Sequence, residues 1–374
     1  MEAALFILIL ALAFANGTND VSKAIATLVG SGVTDYRTAL AWGTAWTLLG
    51  AGCSALVAGA MVKTFSQGLL VAGATPPVTV ALSVLSGAIL WVLFASRTGL
   101  PVSTTHALAG AIVGAGLMAL GGHALLWPTI LKKIGLPLLL SPLLALLVSL
   151  MLHPLVRLLA ARWEGACLCL MPSSRALVTI DSAGATRTLF QTAALGLPVT
   201  AVPTHCDRAG LRGLTVGVDS IHWLSSGLTS LARGANDAPK IAAMLLLGSV
   251  ATWPSFSLQA LTFGGVAVAM GLGSYWGGRR VTEVLAEKVT RMDHAEGLSA
   301  NLTTSSLVFA AALLGLPVST THLSSSSIVG IGLLKGRQTV QWTTVRDIAL
   351  AWVVTLPASA LLAALAYLFL THLS

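Results

Sequence analysis

The chain has 374 residues, 55% of them hydrophobic and only 9% charged, with a mean hydropathy of +0.86. Soluble domains carry about 25% charged residues, so this composition excludes a soluble globular protein and describes an integral membrane protein. The net charge of +8 does not mark a nucleic-acid binder: the bases Lys132, Lys133, Arg157, Arg162, Arg279, Arg280, Lys335 and Arg337 sit at the ends of apolar segments, where topology places an excess of Lys and Arg.

In chain order, the first apolar segment covers residues 3–30 and is expected to break around Gly17–Asp20. Its A-F-A stretch resembles a signal-peptide cleavage site, but no basic region precedes it. Spans are expected at 39–62 and 78–96. Residues 107–120 are short, Gly-rich and preceded by Pro101, which suggests a re-entrant hairpin rather than a full span. Another span is expected at 137–159, long or kinked at Pro142 and Pro154. Residues 162–212 are far more polar and basic, and read as a cytoplasmic link; within them, 176–189 alternate around Asp181–Gly184 as a small hairpin would. Spans follow near 214–231, 238–251, 257–276 and 299–314, then a second hairpin at 317–334 and a last span at 348–370. Residues 277–294 read as an amphipathic surface helix. Cys53 is expected as a small core residue, and Cys167, Cys169 and Cys206 match no zinc spacing.

Two polar motifs repeat in this apolar background. GLPVSTTH occurs at 99–106 and 315–322, and GxND at 17–20 and 234–237. The offsets, 315 − 99 = 216 and 234 − 17 = 217, mark an internal duplication. It divides the chain into a first membrane repeat (1–161), the link (162–212) and a second repeat (213–374). Polar groups at membrane depth are costly and signal function, and a duplicated, polar-interrupted apolar chain suggests a secondary transporter with its site at the repeat interface. Whether the repeats are parallel or inverted depends on how many spans separate them.

In PVSTTH, Pro suits the first helical turn and the hydroxyls supply N-cap oxygens. A helix N-terminus offers free N–H groups and a positive dipole end to a small oxyanion. Two facing termini would gather Ser103, Thr104, Thr105, Ser319, Thr320 and Thr321 around one tetrahedral anion. His106 and His322 are placed to bond a neighbouring helix or to relay protons. In GxND, Asn19–Asp20 and Asn236–Asp237, followed by unwound backbone, form a candidate cation or proton site. Lys23 and Lys240 lie three residues after each Asp, on the same helical face. Each can pair with its Asp, standing in for a bound cation, or can counter an anionic substrate. Asn301-Leu302-Thr303 matches a glycosylation acceptor but leads into an apolar run and reads as polar lining.

At these residues the chain resembles the inorganic phosphate transporter (PiT) family, which carries duplicated GANDxAN-type and P-x-S-T-T-H motifs. Here they read GTNDVSK and GANDAPK, with both GLPVSTTH copies intact. The resemblance implies an all-α, multi-span transport fold of two inverted repeats with re-entrant helical hairpins that hold phosphate. It implies a cation or proton site at Asn19, Asp20, Asn236 and Asp237, a homodimer, and alternating access. One departure stands out: Lys23 and Lys240 replace the family's second Asn, a position associated with sodium. The expected coupling ion is therefore H+ rather than Na+, with no other cofactor and no catalytic residue. Phosphate is the expected substrate and sulfate the alternative, because phosphate keeps a proton at neutral pH that a carboxylate can accept. An anion channel is a further alternative; an intramembrane hydrolase lacks a nucleophile elbow here. The expected location is a bacterial or archaeal inner membrane, with the lipid bilayer as surroundings.

Overall fold

The computed structural model describes residues 2–56, 59–71, 76–163, 167–180, 186–201, 217–247, 253 and 255–373. They fall into two compact units, one built from Met1–Pro154 together with His222–Ser374, the other Leu155–Ile221. The two halves of the duplication thus make one body.

The first half runs α1 (Glu2–Asp20), α2 (Ser22–Gly30), α3 (Tyr36–Cys53), α4 (Gly59–Ser66), α5 (Val78–Thr98), α6 (Thr104–Leu120), a short α7 (Trp127–Ile130), a π-helical turn and α8 (Leu136–Trp163). The second runs α9 (Val218–Ala242), α10 (Phe256–Trp276), α11 (Arg279–Glu287), α12 (His294–Leu313), α13 (Thr320–Lys335) and α14 (Trp342–Leu373). The element starts keep the sequence offset: α5 to α12 is 294 − 78 = 216, and α6 to α13 is 320 − 104 = 216.

Among the described residues, five helical segments are long and apolar enough to cross a membrane, and α3 with α4 forms a further bent pair. Leu139, Leu143 and Met151 on α8, and Val353, Leu361 and Phe369 on α14, are exposed. Exposed large side chains at this density suit lipid rather than water. Both α6 (17 residues) and α13 (16 residues) are shorter than the roughly 20 residues a span requires. Each packs back on its predecessor through a turn whose Gly, Gly99 or Gly315, has positive φ, a conformation that suits a residue without Cβ.

Three expectations are corrected. The backbone is not unwound after Asp20. Helix continues to Asp20, and the single residue between α1 and α2, Val21, keeps right-handed helical angles. Thr18 and Ser22 donate their hydroxyls to the Ala15 and Asn19 carbonyls at 2.8 and 2.6 Å, holding the turn in place. In the second half, 214–231 and 238–251 are not two spans: α9 runs unbroken through the second GxND and Pro239. Its polar face, including Ser225, Ser226, Thr229 and Arg233, is buried against protein, so it needs no apolar covering. Cys53 is exposed rather than in the core.

The surface helix is α11, with Val281 and Leu285 buried and an exposed Arg279–Glu283 pair at 3.0 Å. In the link, β1 (Cys167–Ile180) and β2 (Thr186–Ala201) form an antiparallel hairpin longer than the one expected. The membrane body is all-helical, and this hairpin is the addition. Cys167 and Cys169 pair with Ala201 and Val199 across it, while Cys206 lies outside the described residues.

The GxND glycines join the halves. Gly17 of α1 meets α10 at Met270 and Ser274, and Gly234 of α9 meets α3 at Thr47 and Ala51. A Cβ at Gly234 would stand 2.7 Å from the Thr47 carbonyl oxygen and 2.8 Å from the Ala51 nitrogen, both fixed backbone. Gly234→Val is expected to cost about 3 kcal/mol or more by overpacking, read as an early thermal transition of the purified protein in detergent.

Candidate functional site

The turn between α5 and α6 and the turn between α12 and α13 meet inside the membrane body. The Val102 carbonyl accepts from Thr321 Oγ1 at 2.6 Å, and the Val318 carbonyl accepts from Thr105 Oγ1 at 3.4 Å. Each half therefore spends one threonine hydroxyl on the other half's turn. The His106 and His322 rings meet at the same junction, tilted by 49° with centroids 4.7 Å apart. His322 Nδ1 also bonds the Leu138 carbonyl of α8 at 2.9 Å and its ring lies against Trp352, which gives it the helix-bonding role.

Ser103 and Ser319 cap α6 and α13, accepting from the His106 and His322 backbone N–H groups at 3.3 and 3.2 Å. Thr104 Oγ1 accepts from Asn16 Nδ2 at 2.9 Å. All three keep their O–H hydrogens as donors, whereas Thr105 and Thr321 donate theirs to backbone carbonyls. Thr320 is buried at the start of α13. The six hydroxyls expected around one anion thus differ in role: Thr105 and Thr321 tie the turns together, Ser103 and Ser319 cap the helices, and Thr104 accepts from Asn16. Removing a cap by Ser319→Ala should cost about 1 kcal/mol of stability, and Ser103→Ala the same, as measured by thermal unfolding.

The GxND residues stand beside these turns. Lys23 Nζ pairs with Asp20 Oδ1 and donates to Asn19 Oδ1 and the Val102 carbonyl, both at 2.9 Å. Lys240 Nζ bonds Asp237 Oδ1 at 3.0 Å, Thr105 Oγ1 at 2.7 Å and the Val318 carbonyl at 3.4 Å. All four charged groups are at most 2% exposed. Each ammonium sits in a cage of carboxylate, side-chain and main-chain oxygens, the donor set a hard cation would take. Asn19 is further fixed by donating to Ser96 Oγ and the Leu100 carbonyl, and Asn236 by donating to Asp237 and the Val318 carbonyl.

Two residues that the repeated motifs do not include complete the cluster. Asn16 Nδ2 lies 3.1 Å from Asp20 Oδ2 and 3.2 Å from Asp237 Oδ2, so one amide joins the carboxylates of both halves. Its Oδ1 accepts from Arg233 Nη1 at 3.4 Å. Arg233 is 1% exposed and also reaches Thr47 and Ser274. Both residues immediately precede a GxND motif, and that shared register is the one signal of them in the sequence. Among the described residues no cluster of three His, Cys, Asp or Glu could hold a metal.

Residues 16–363 match the model of the phosphate transporter family. A probable low-affinity inorganic phosphate transporter of Rhizobium meliloti is 30% identical, the match covering 95% of this chain and 92% of that one. A Bacillus subtilis protein of the same description is 29% identical over 96% and 94%, and a putative phosphate permease of Pyrococcus abyssi 28% identical over 96% of each. Among solved structures, one described as the sodium-dependent phosphate transporter superposes with a TM-score of 0.75 at 24% identity, covering 100% of this chain and 99% of that chain, a likeness of fold. These relatives are transporters and permeases, not enzymes. With the duplicated motifs, the apolar helices and the buried polar junction in place, the conclusion is that this multi-pass membrane protein belongs to the phosphate transporter family.

Proposed function

We propose that the chain is a secondary transporter that imports inorganic phosphate by alternating access, with proton coupling or no coupling ion in place of sodium. The observation that carries this reading is the oxygen cage around each ammonium: Lys23 and Lys240 hold, by covalent tether, the positions a coupling cation would fill. Phosphate is bound by the free hydroxyls of Ser103, Thr104, Ser319 and Thr320 and by the N-termini of α6 and α13. Thr105 and Thr321 hold those termini together. Asn19, Asp20, Asn236 and Asp237 set the charge beside them, and a carboxylate accepting the substrate's own proton favours phosphate over sulfate.

The reciprocal bonds at Val102 and Val318 support two repeats, 1–161 and 213–374, that face each other with their turns in matched roles; we take them as inverted, as the family resemblance implies, with the link at 162–212 cytoplasmic. In this reading rocking of one repeat against the other exposes the site alternately, in the inner membrane of a bacterium or archaeon and as a homodimer. Proteoliposomes of the purified protein should take up radiolabelled phosphate saturably, and excess unlabelled sulfate should leave that uptake intact. Uptake abolished by sulfate would move the assignment to a sulfate permease, and a non-saturating flux would move it to a channel.

A further inference from the structure

The buried cluster does not balance its charges. It holds two carboxylates, Asp20 and Asp237, against three cations, Lys23, Lys240 and Arg233. Each lysine has its own aspartate. Arg233 contacts neutral groups instead: Asn16 Oδ1, Thr47 Oγ1 and Ser274 Oγ. Among the described residues its Nε hydrogen has no partner, although the side chain is 1% exposed. An uncompensated guanidinium at membrane depth is costly, and an unsatisfied buried donor calls for an explanation. The duplication sharpens the point. Arg233 occupies the place that Asn16 holds in the first half, since 233 − 16 = 217. The positive charge is therefore carried on one side of an otherwise matched site. It lies one amide away from both carboxylates and from Thr104, because Asn16 touches all three.

We propose that Arg233 is the fixed counter-charge for the substrate, and that it sets this site for a singly charged tetrahedral oxyanion. The inference rests on the phosphate reading above and deepens it. One unbalanced positive charge is neutralised by dihydrogen phosphate, H2PO4−, and left overcompensated by a doubly charged anion. Selecting that form also carries a proton in on the substrate itself, so proton coupling needs no titrating carboxylate. Sulfate, doubly charged at neutral pH, is disfavoured on the same ground. Arg233 suits the role because its planar fork can share two N–H groups with one oxyanion.

The test is phosphate binding to the purified full-length protein in detergent, followed by calorimetry and by the thermal shift that phosphate produces, across pH values on both sides of the second ionisation of phosphate. The titratable groups facing Arg233 and its neighbours are Asp20, Lys23, Asp237, Lys240, His106 and His322. Sulfate, whose charge is constant over this range, serves as the probe of their contribution. For the wild type, affinity for total phosphate should fall about tenfold per pH unit above that ionisation, tracking the singly charged form, while the weak binding of sulfate stays flat. Arg233→Gln should weaken phosphate binding at least about tenfold and leave the empty protein no less thermostable, since it deletes an unbalanced buried charge; Arg233→Lys should recover part of the affinity. Affinity that rises with pH, wild-type affinity in Arg233→Gln, or a Gln variant that unfolds early yet binds normally would each overturn the inference. A wild type that binds no phosphate at any pH would instead overturn the phosphate reading itself.

Discussion

Lys23→Ala is expected to destabilise the protein by about 3–5 kcal/mol and to end phosphate uptake. The reason is the asymmetry of buried ion pairs: removing one partner leaves the other charged and desolvated, which costs far more than the pair contributes. Asp20 would keep the Asn16 amide but lose the ammonium paired with it. Asn19 Oδ1 and the Val102 carbonyl would lose a donor as well. The double variant Asp20→Asn with Lys23→Met should regain most of the stability, because no lone charge remains, and should still not transport. Denaturant or thermal unfolding in detergent measures the first effect and proteoliposome uptake the second. If the single variant is as stable as the wild type, the pair does not carry the charge balance assigned to it. Lys240→Ala should behave alike, with an added loss at Thr105, whose oxygen accepts from Lys240 at 2.7 Å.

Asn16→Leu carries the second large effect. One amide lies within bonding distance of two carboxylates and a threonine and accepts from a guanidinium. Hydrogen bonds to charged groups contribute about 1.5–3 kcal/mol each, so a loss of roughly 3 kcal/mol or more is expected, together with loss of uptake. Asn16→Asp should also destabilise the protein, because the oxygen that replaces Nδ2 would face the Asp20 and Asp237 carboxylates, and by cancelling the unbalanced positive charge it should abolish phosphate binding. Full activity in both variants would remove Asn16 from the site.

Much of this site is legible in the residues alone. The two octapeptides and the two GxND motifs announce their importance by repeating, and the i,i+3 spacing of Asp20–Lys23 and Asp237–Lys240 yields the buried pairs from helical geometry. What the residue string conceals is tertiary. Asn16 and Arg233 differ from one another, so a search for repeats passes over them; their importance lies in how a helix of one half meets the other. The six hydroxyls look equivalent because a sequence gives no direction to an O–H, and only the crossing of the two turns separates Thr105 and Thr321 from the rest. Helix α9 reads as two segments because its polar face breaks the apolar run, yet a helix whose polar face is buried against protein needs no such run. Val21 stays helical because Thr18 and Ser22 supply local hydroxyl bonds where the motif suggests a break.

The proposed coupling turns on the two lysines and the oxygen cages they occupy. The most direct measurement is the initial rate of phosphate uptake into proteoliposomes with all sodium replaced by choline, compared with the rate under an inward sodium gradient. If Lys23 and Lys240 stand where coupling cations would bind, the two rates are equal and an inward proton gradient alone sustains uptake. Uptake that falls to background without sodium would contradict this reading, because both cages would then have to admit a cation that the ammonium groups exclude.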